Sequence, residues 1–200
     1  MALTAKKSEA NFELVPPGTH IARCYQVVDL GTQKTVWKGE EKKQHKIFLG
    51  FELPDELMSD GRPFAVGNRY TLSLSEKANL RGVLEAWRGQ PFTEEEANGF
   101  DIEKLLGVPC MVNVVHNTTN GKTYANIAGI VKLPKNTKCP DPVNPPVKFS
   151  FENFSNEQFQ ALPEWLRKAI IQADEYSGGN SPKQTNHTSE DVPFSDDIPF

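Results

Sequence analysis

The stretch His45 to Leu53, HKIFLGFEL, constrains the fold more than any other part of the chain. His45, Ile47, Leu49, Phe51 and Leu53 alternate with Lys46, Phe48, Gly50 and Glu52. A period of two puts the first set on a buried face of a β-strand and the second on the outward face. Phe48 is then an aromatic on the polar side beside Lys46, with Gly50 leaving room for close approach. Two readings of that ring stay open: a platform offered to a ligand, or a ring covered by a later segment.

Further strands follow from the same pattern. His20 to Leu30 comes after the turn Pro16-Pro17-Gly18, is rich in aromatic and β-branched residues, and ends at Gly31, which predicts the first strand. Arg69 to Ser75 sets Tyr70, Leu72 and Leu74 against Arg69, Thr71 and Ser73 and predicts the third, with Gly67-Asn68 as a preceding turn signal. Cys110 to His116 and Thr123 to Leu133 form the last pair, joined through Asn120-Gly121, a strong hairpin signal. Between strands three and four, Leu80, Val83, Leu84 and Trp87 fall at helical spacing after Ser75, an N-cap candidate, so Trp87 belongs to a core. Thr93-Glu94-Glu95-Glu96 reads as a capped, solvated helix start, and 102–106 as one more helical turn.

Thr32 to Gln44 has no apolar periodicity and reads as a long loop or hairpin tip carrying Lys34, Lys38, Lys42 and Lys43 around Trp37. An indole among ammonium groups suits a base stack with phosphates alongside. The alternative is that Trp37 folds back to cap the barrel while Glu40 and Glu41 pair the lysines. Residues 134–146 hold five prolines and predict an extended linker. Beyond Ser155, Phe159, Leu162, Leu166 and Ile170 recur at helical intervals, Trp165, Ala169 and Ile171 broaden the stripe, and Pro163 divides it. That surface needs a partner: the barrel, another subunit or a ligand groove.

The layout is mainly β: a five-stranded OB-fold barrel with an inserted helix between strands 3 and 4, followed by a C-terminal helical segment and an acidic tail. Expected boundaries are a mobile arm at 1–14, the barrel at 15–134, the linker at 135–148, the helical segment at 149–176 and a disordered tail at 177–200. An OB-fold binds nucleic acid on strands two and three and on the loops joining strands one and two and strands four and five. Lys34, Trp37, Lys38, Lys42 and Lys43 fall on the first loop, Lys46 and Phe48 on strand two, Arg69 on strand three, and Lys122 and Tyr124 on the last hairpin.

The formal charge of −4 does not argue against such a partner, because it is unevenly distributed. Residues 1–138 hold 18 Lys and Arg against 16 Asp and Glu, while 139–200 hold 4 against 10. A basic body with an acidic tail is a pattern of nucleic-acid binders. Cys24, Cys110 and Cys139 are too few and too scattered for a disulfide framework or a zinc site, and Cys24 and Cys110 lie in apolar runs as small core residues. His20, His45, His116 and His187 show no ligand spacing, so neither a metal nor a cofactor is expected. No apolar run reaches membrane-spanning length and no secretory signal opens the chain, which points to a soluble, cytoplasmic protein.

The tail closes on EDVPFSDDIPF, an acidic pair, an aliphatic residue, Pro and Phe written twice. Such a segment cannot bury enough apolar surface to fold alone, so its apolar residues suit a pocket on a partner. Phe200 joins a ring to a terminal carboxylate, and Pro199 restricts the backbone before it. The segment Asp196, Asp197, Ile198, Pro199 and Phe200 resembles the acidic tip of bacterial single-stranded DNA-binding proteins. The insert at 76–106 and the helix at 155–175 depart from the bacterial pattern, and the whole chain is more similar to single-strand binders of tailed bacteriophages. That resemblance implies a non-enzymatic protein coating single-stranded DNA in replication, recombination and repair, in the host cytoplasm, and recruiting replication and recombination enzymes through the tip. The alternative is an adaptor without DNA activity whose tip captures host enzymes. A nuclease lacks any carboxylate or histidine cluster of workable spacing.

Overall fold

The computed structural model describes residues 13–37 and 39–176, with Trp37 described by its backbone alone. Six strands form one mainly antiparallel sheet: β1 (Gly18–Trp37), β2 (Glu40–Leu57), β3 (Pro63–Thr71), β4 (Pro109–Thr119), β5 (Lys122–Val131) and β6 (Val147–Phe149). The order is β3-β2-β1-β4-β5, with β6 added in parallel to β1. Helices α1 (Asn79–Arg88) and α2 (Glu94–Ala97) and a 3₁₀ turn (Ile102–Leu105) lie between β3 and β4; α3 (Asn156–Ala161) and α4 (Glu164–Ile171) follow β6. No β3–β5 ladder closes the sheet among the described residues.

The alternation in HKIFLGFEL has its expected consequence: Ile47, Leu49, Phe51 and Leu53 are buried in the main core, where Phe51 meets Trp87 edge to face at 5.4 Å. Trp87 also donates its indole N–H to the Pro109 carbonyl at 3.0 Å, so its one polar atom is satisfied. Cys24 and Cys110 are free, buried core residues, and burial pushes the Cys24 thiol up to about 12. Asn120 and Gly121 take φ of 52° and 73°, the paired left-handed conformation that a tight hairpin turn requires.

Several boundaries differ from the sequence expectation. Of the two readings of residues 32–44 the hairpin holds and the loop does not, because the β1–β2 ladder runs through Lys34↔Lys43 and Val36↔Glu41 to Trp37↔Glu40. A ladder is made by backbone groups, so an arm polar on both sides still satisfies its N–H and C=O groups. β3 begins at Pro63 and ends at Thr71, with Gly67 and Asn68 inside it. Gly67 is a packing position, since a Cβ there would overlap the Phe48 ring. α1 starts at Asn79, with Ala78 as a cap that makes no side-chain bond; Ser75 instead accepts the Ala78 N–H through its carbonyl at 2.9 Å. The Thr93–Glu96 capping box is present as expected.

A second apolar layer lies on the other face of β1 and β2. Val28, Leu30 and Phe48 from the sheet pack against Phe149, Phe151, Phe159, Leu162, Leu166 and Ile170. The C-terminal helices therefore find their partner in the sheet itself, and α3 and α4 part at Pro163 as expected. The Pro-rich segment before them is tied to the sheet. Arg23 donates to the Pro140 carbonyl at 2.8 Å, and the Glu52 carboxylate accepts from Val143 N, Asn144 N and Asn144 Nδ2 at 3.2, 2.8 and 2.8 Å. Glu52, expected on an outward face, is fully buried beneath this strap, and those three donors offset the loss of water around its carboxylate.

Candidate nucleic-acid interface

The β1–β2 arm and the outer face of β2–β3 hold most of the predicted site. Lys34 and Lys43 stand directly opposite each other, a repulsive cross-strand pair if left alone. Asp174, three residues past α4, lies between them, 3.2 Å from Lys34 Nζ and 2.9 Å from Lys43 Nζ. Hydrogen bonds from Lys43 and then Lys34 hold the Asp174 carboxyl below its usual range, and the bond to Asp174 raises Lys43. Lys42 is half-buried on the same arm, opposite Thr35.

Further along β2, Lys46 donates to Thr71 Oγ1 at 2.8 Å across to β3, and Arg69 stands opposite Phe48. Lys46, Phe48, Arg69 and Thr71 thus share one face. The expectation of an open Phe48 ring is corrected: it is only 7% exposed, under Trp165 of α4, which it meets edge to face at 4.9 Å. The reason is the second apolar layer, which needs the outer face of β2 as its floor. Gly50 gives room not to a ligand but to Gln26 and to Phe48 itself. Trp165 remains 46% exposed, and the Arg69 guanidinium lies 5.6 Å from its ring centre. Burial beside the ring draws the Arg69 pKa below its usual value.

Lys122 and Tyr124 are exposed on the β4–β5 hairpin, Tyr124 by 43%, and make no hydrogen bond or ion pair with the arm among the described residues. Lys38, the Trp37 side chain and the tip Asp196, Asp197, Ile198, Pro199 and Phe200 lie outside the described residues.

Sequence reading missed the anchor of the arm. Glu175, only 6% exposed, accepts from Thr32 N at 2.7 Å and Thr32 Oγ1 at 2.6 Å, and Gln33 donates to the Ala169 carbonyl at 3.0 Å. His45 bridges Asp29 and the same Glu175, with Nε2 2.6 Å from Asp29 Oδ1 and Nδ1 3.7 Å from Glu175 Oε1. Burial is the largest single influence on His45 and lowers its pKa, but Asp29 and Glu175 together outweigh it and the net shift is upward. No local signal marks Asp174 and Glu175, because an acidic pair after an apolar stripe looks like a solvated helix end.

Among the described residues no group of three His, Cys, Asp or Glu side chains is placed to hold a metal, and no helix is long and apolar enough to cross a membrane. No family model matches the chain, and no curated protein is found similar to it. The geometry consists of two parts: a lysine pair on the β1–β2 arm that holds the Asp174 carboxylate, and a β2–β3 face where Lys46 and Arg69 lie with the half-exposed Trp165 indole beside Arg69.

Proposed function

We propose that this chain is a single-stranded DNA-binding protein of the kind its sequence resembles, coating DNA without sequence preference and recruiting partner enzymes through its acidic C-terminal segment. The observation that carries the reading is the β2–β3 face where Lys46 and Arg69 lie with the half-exposed Trp165 ring beside Arg69, continued by the Lys34–Lys43 pair further out on the β1–β2 arm. Cations that track a backbone beside a ring on which bases stack are what sequence-tolerant single-strand binding requires. The strand order β3-β2-β1-β4-β5, with a helical insert before β4, supports an open OB-fold, in which the β2–β3 face and the flanking hairpins bind nucleic acid. The tip at 196–200 supplies the recruiting element, by its resemblance to the bacterial one.

Binding is electrostatic and stacking in character, with no chemical step. Four phosphates neutralised on a single strand give a slope of log affinity against log salt of about −3. Fluorescence titration with oligo-dT at several salt concentrations tests this. Tryptophan quenching with that salt dependence is the expected result; absence of measurable affinity even at low salt sinks the reading.

A further inference from the structure

Trp165 is a large ring placed off the buried stripe of its own helix. Leu166, Ala169 and Ile170 turn inward from α4, while Trp165, one position before them, leaves nearly half its surface in solvent. It is nonetheless held in place, by the edge-to-face contact with Phe48 and by Arg69 at 5.6 Å. A ring oriented in this way loses little freedom when a second ring stacks on it. Its surroundings are cationic: Arg69 beside it, Lys46 one step along the same sheet face at Thr71, and Lys168 one turn further on α4, 70% exposed and paired with Glu164.

We propose that Trp165 is a base-stacking residue of this protein, presented to a nucleobase of single-stranded DNA from α4 across the β2–β3 face. Phe48 serves as its floor, and Arg69 meets the phosphate next to the stacked base. The inference rests on the proposed function and assigns part of the binding surface to the C-terminal helical segment. The guanidinium beside the ring selects the occupant, since an apolar protein surface would give Arg69 no phosphate to meet, whereas a nucleotide brings a base and a phosphate together.

The test uses the full chain, whose three tryptophans include the buried Trp87 as a constant background. Wild type, Trp37→Phe, Trp165→Phe and Trp165→Leu are titrated with oligo-dT at several salt concentrations. Trp37→Phe retains a quench on binding that Trp165→Phe loses, while Trp165→Phe keeps a ring over Phe48 and most of the affinity. Trp165→Leu weakens binding roughly 5- to 150-fold, the range expected for one lost stack. Its salt slope stays unchanged because no charge is removed, whereas Arg69→Gln lowers the slope by about 0.7. If Trp165→Leu fails to fold by far-UV circular dichroism, the quench in Trp165→Phe decides. Wild-type affinity and quenching in both Trp165 variants overturn the proposal and leave the proposed function standing; a wild type that does not bind overturns both. Conversion of a dimer to a monomer by Trp165→Leu without change in DNA binding also overturns it, because the ring then serves self-association.

Discussion

The two hairpins offer a cation and an aromatic residue each, yet they are built by opposite means. β4–β5 is held by its own sequence: Asn120 and Gly121 supply the turn, and Thr118 and Thr123 bond across the strands at 3.0 Å. The outer part of β1–β2 has no apolar face of its own and is clasped from outside by residues more than a hundred positions later, through Glu175 on Thr32 and Asp174 on Lys34 and Lys43. A local hairpin folds wherever its turn is written. A clasped one exists only when the distant segment has docked, so its surface and the C-terminal helices form one unit.

Breaking the clasp from its apolar side gives the largest effect. Leu166 is fully buried in the layer beneath α4, and Leu166→Ala costs about 2–5 kcal/mol in urea unfolding. Amide protection on residues 32–36 is expected to fall well before that on 111–117, where the local hairpin persists. Equal loss in both hairpins would contradict the contrast. The reverse probe is Gly121→Ala, which forces a Cβ into a left-handed conformation at φ 73° and costs about 1–2 kcal/mol. Its chemical-shift changes should stay within β4 and β5 and leave Thr32 and Glu175 untouched.

Acidity sharpens the same comparison. His45 has its pKa raised in the fold, so the stabilisation from Asp29 and Glu175 is complete below the unfolded value of about 6.5 and is lost as pH rises through the higher folded one. The urea midpoint of the clasped region is expected to be higher at pH 6 than at pH 8.5, and His45→Gln should remove most of that difference while β4–β5 shows none. The smallest effect concerns Asp174. Its ion pairs are open to solvent and screened, so Asp174→Asn leaves the urea midpoint nearly unchanged. It also releases two lysines from an internal carboxylate, and oligo-dT affinity should rise about two- to fivefold at low salt, an increase that disappears at high salt.

The sequence made the inner half of this molecule readable. Ile47, Leu49, Phe51 and Leu53 have to share a face because a strand turns successive side chains through a half circle, and Trp87 joins them by helical spacing. The Thr93 capping box, the Asn120-Gly121 turn and the break at Pro163 are equally local instructions. Residues 32–44 defeated the same approach because their pairing is a backbone ladder that leaves no periodic side-chain trace. Gly67-Asn68 looks like a turn but lies within β3, where the missing Cβ makes room for Phe48. Glu52 reads as a solvated outward residue until the strap brings Val143 and Asn144 to it.

Periodicity, turn chemistry and charge distribution reside in consecutive residues, and they settle a mainly β chain with a helical insert, a two-part C-terminal helix and a basic body before an acidic tail. Tertiary packing alone decided that Phe48 is a floor, that Trp165 is the ring left in solvent, and that Asp174 sits between Lys34 and Lys43. Each of those outcomes depends on where α4 comes to rest on β1 and β2, more than a hundred residues away in the chain. Burial of Leu166 and Ile170 on that face sets the position, and the identity of the exposed cations and ring follows from it.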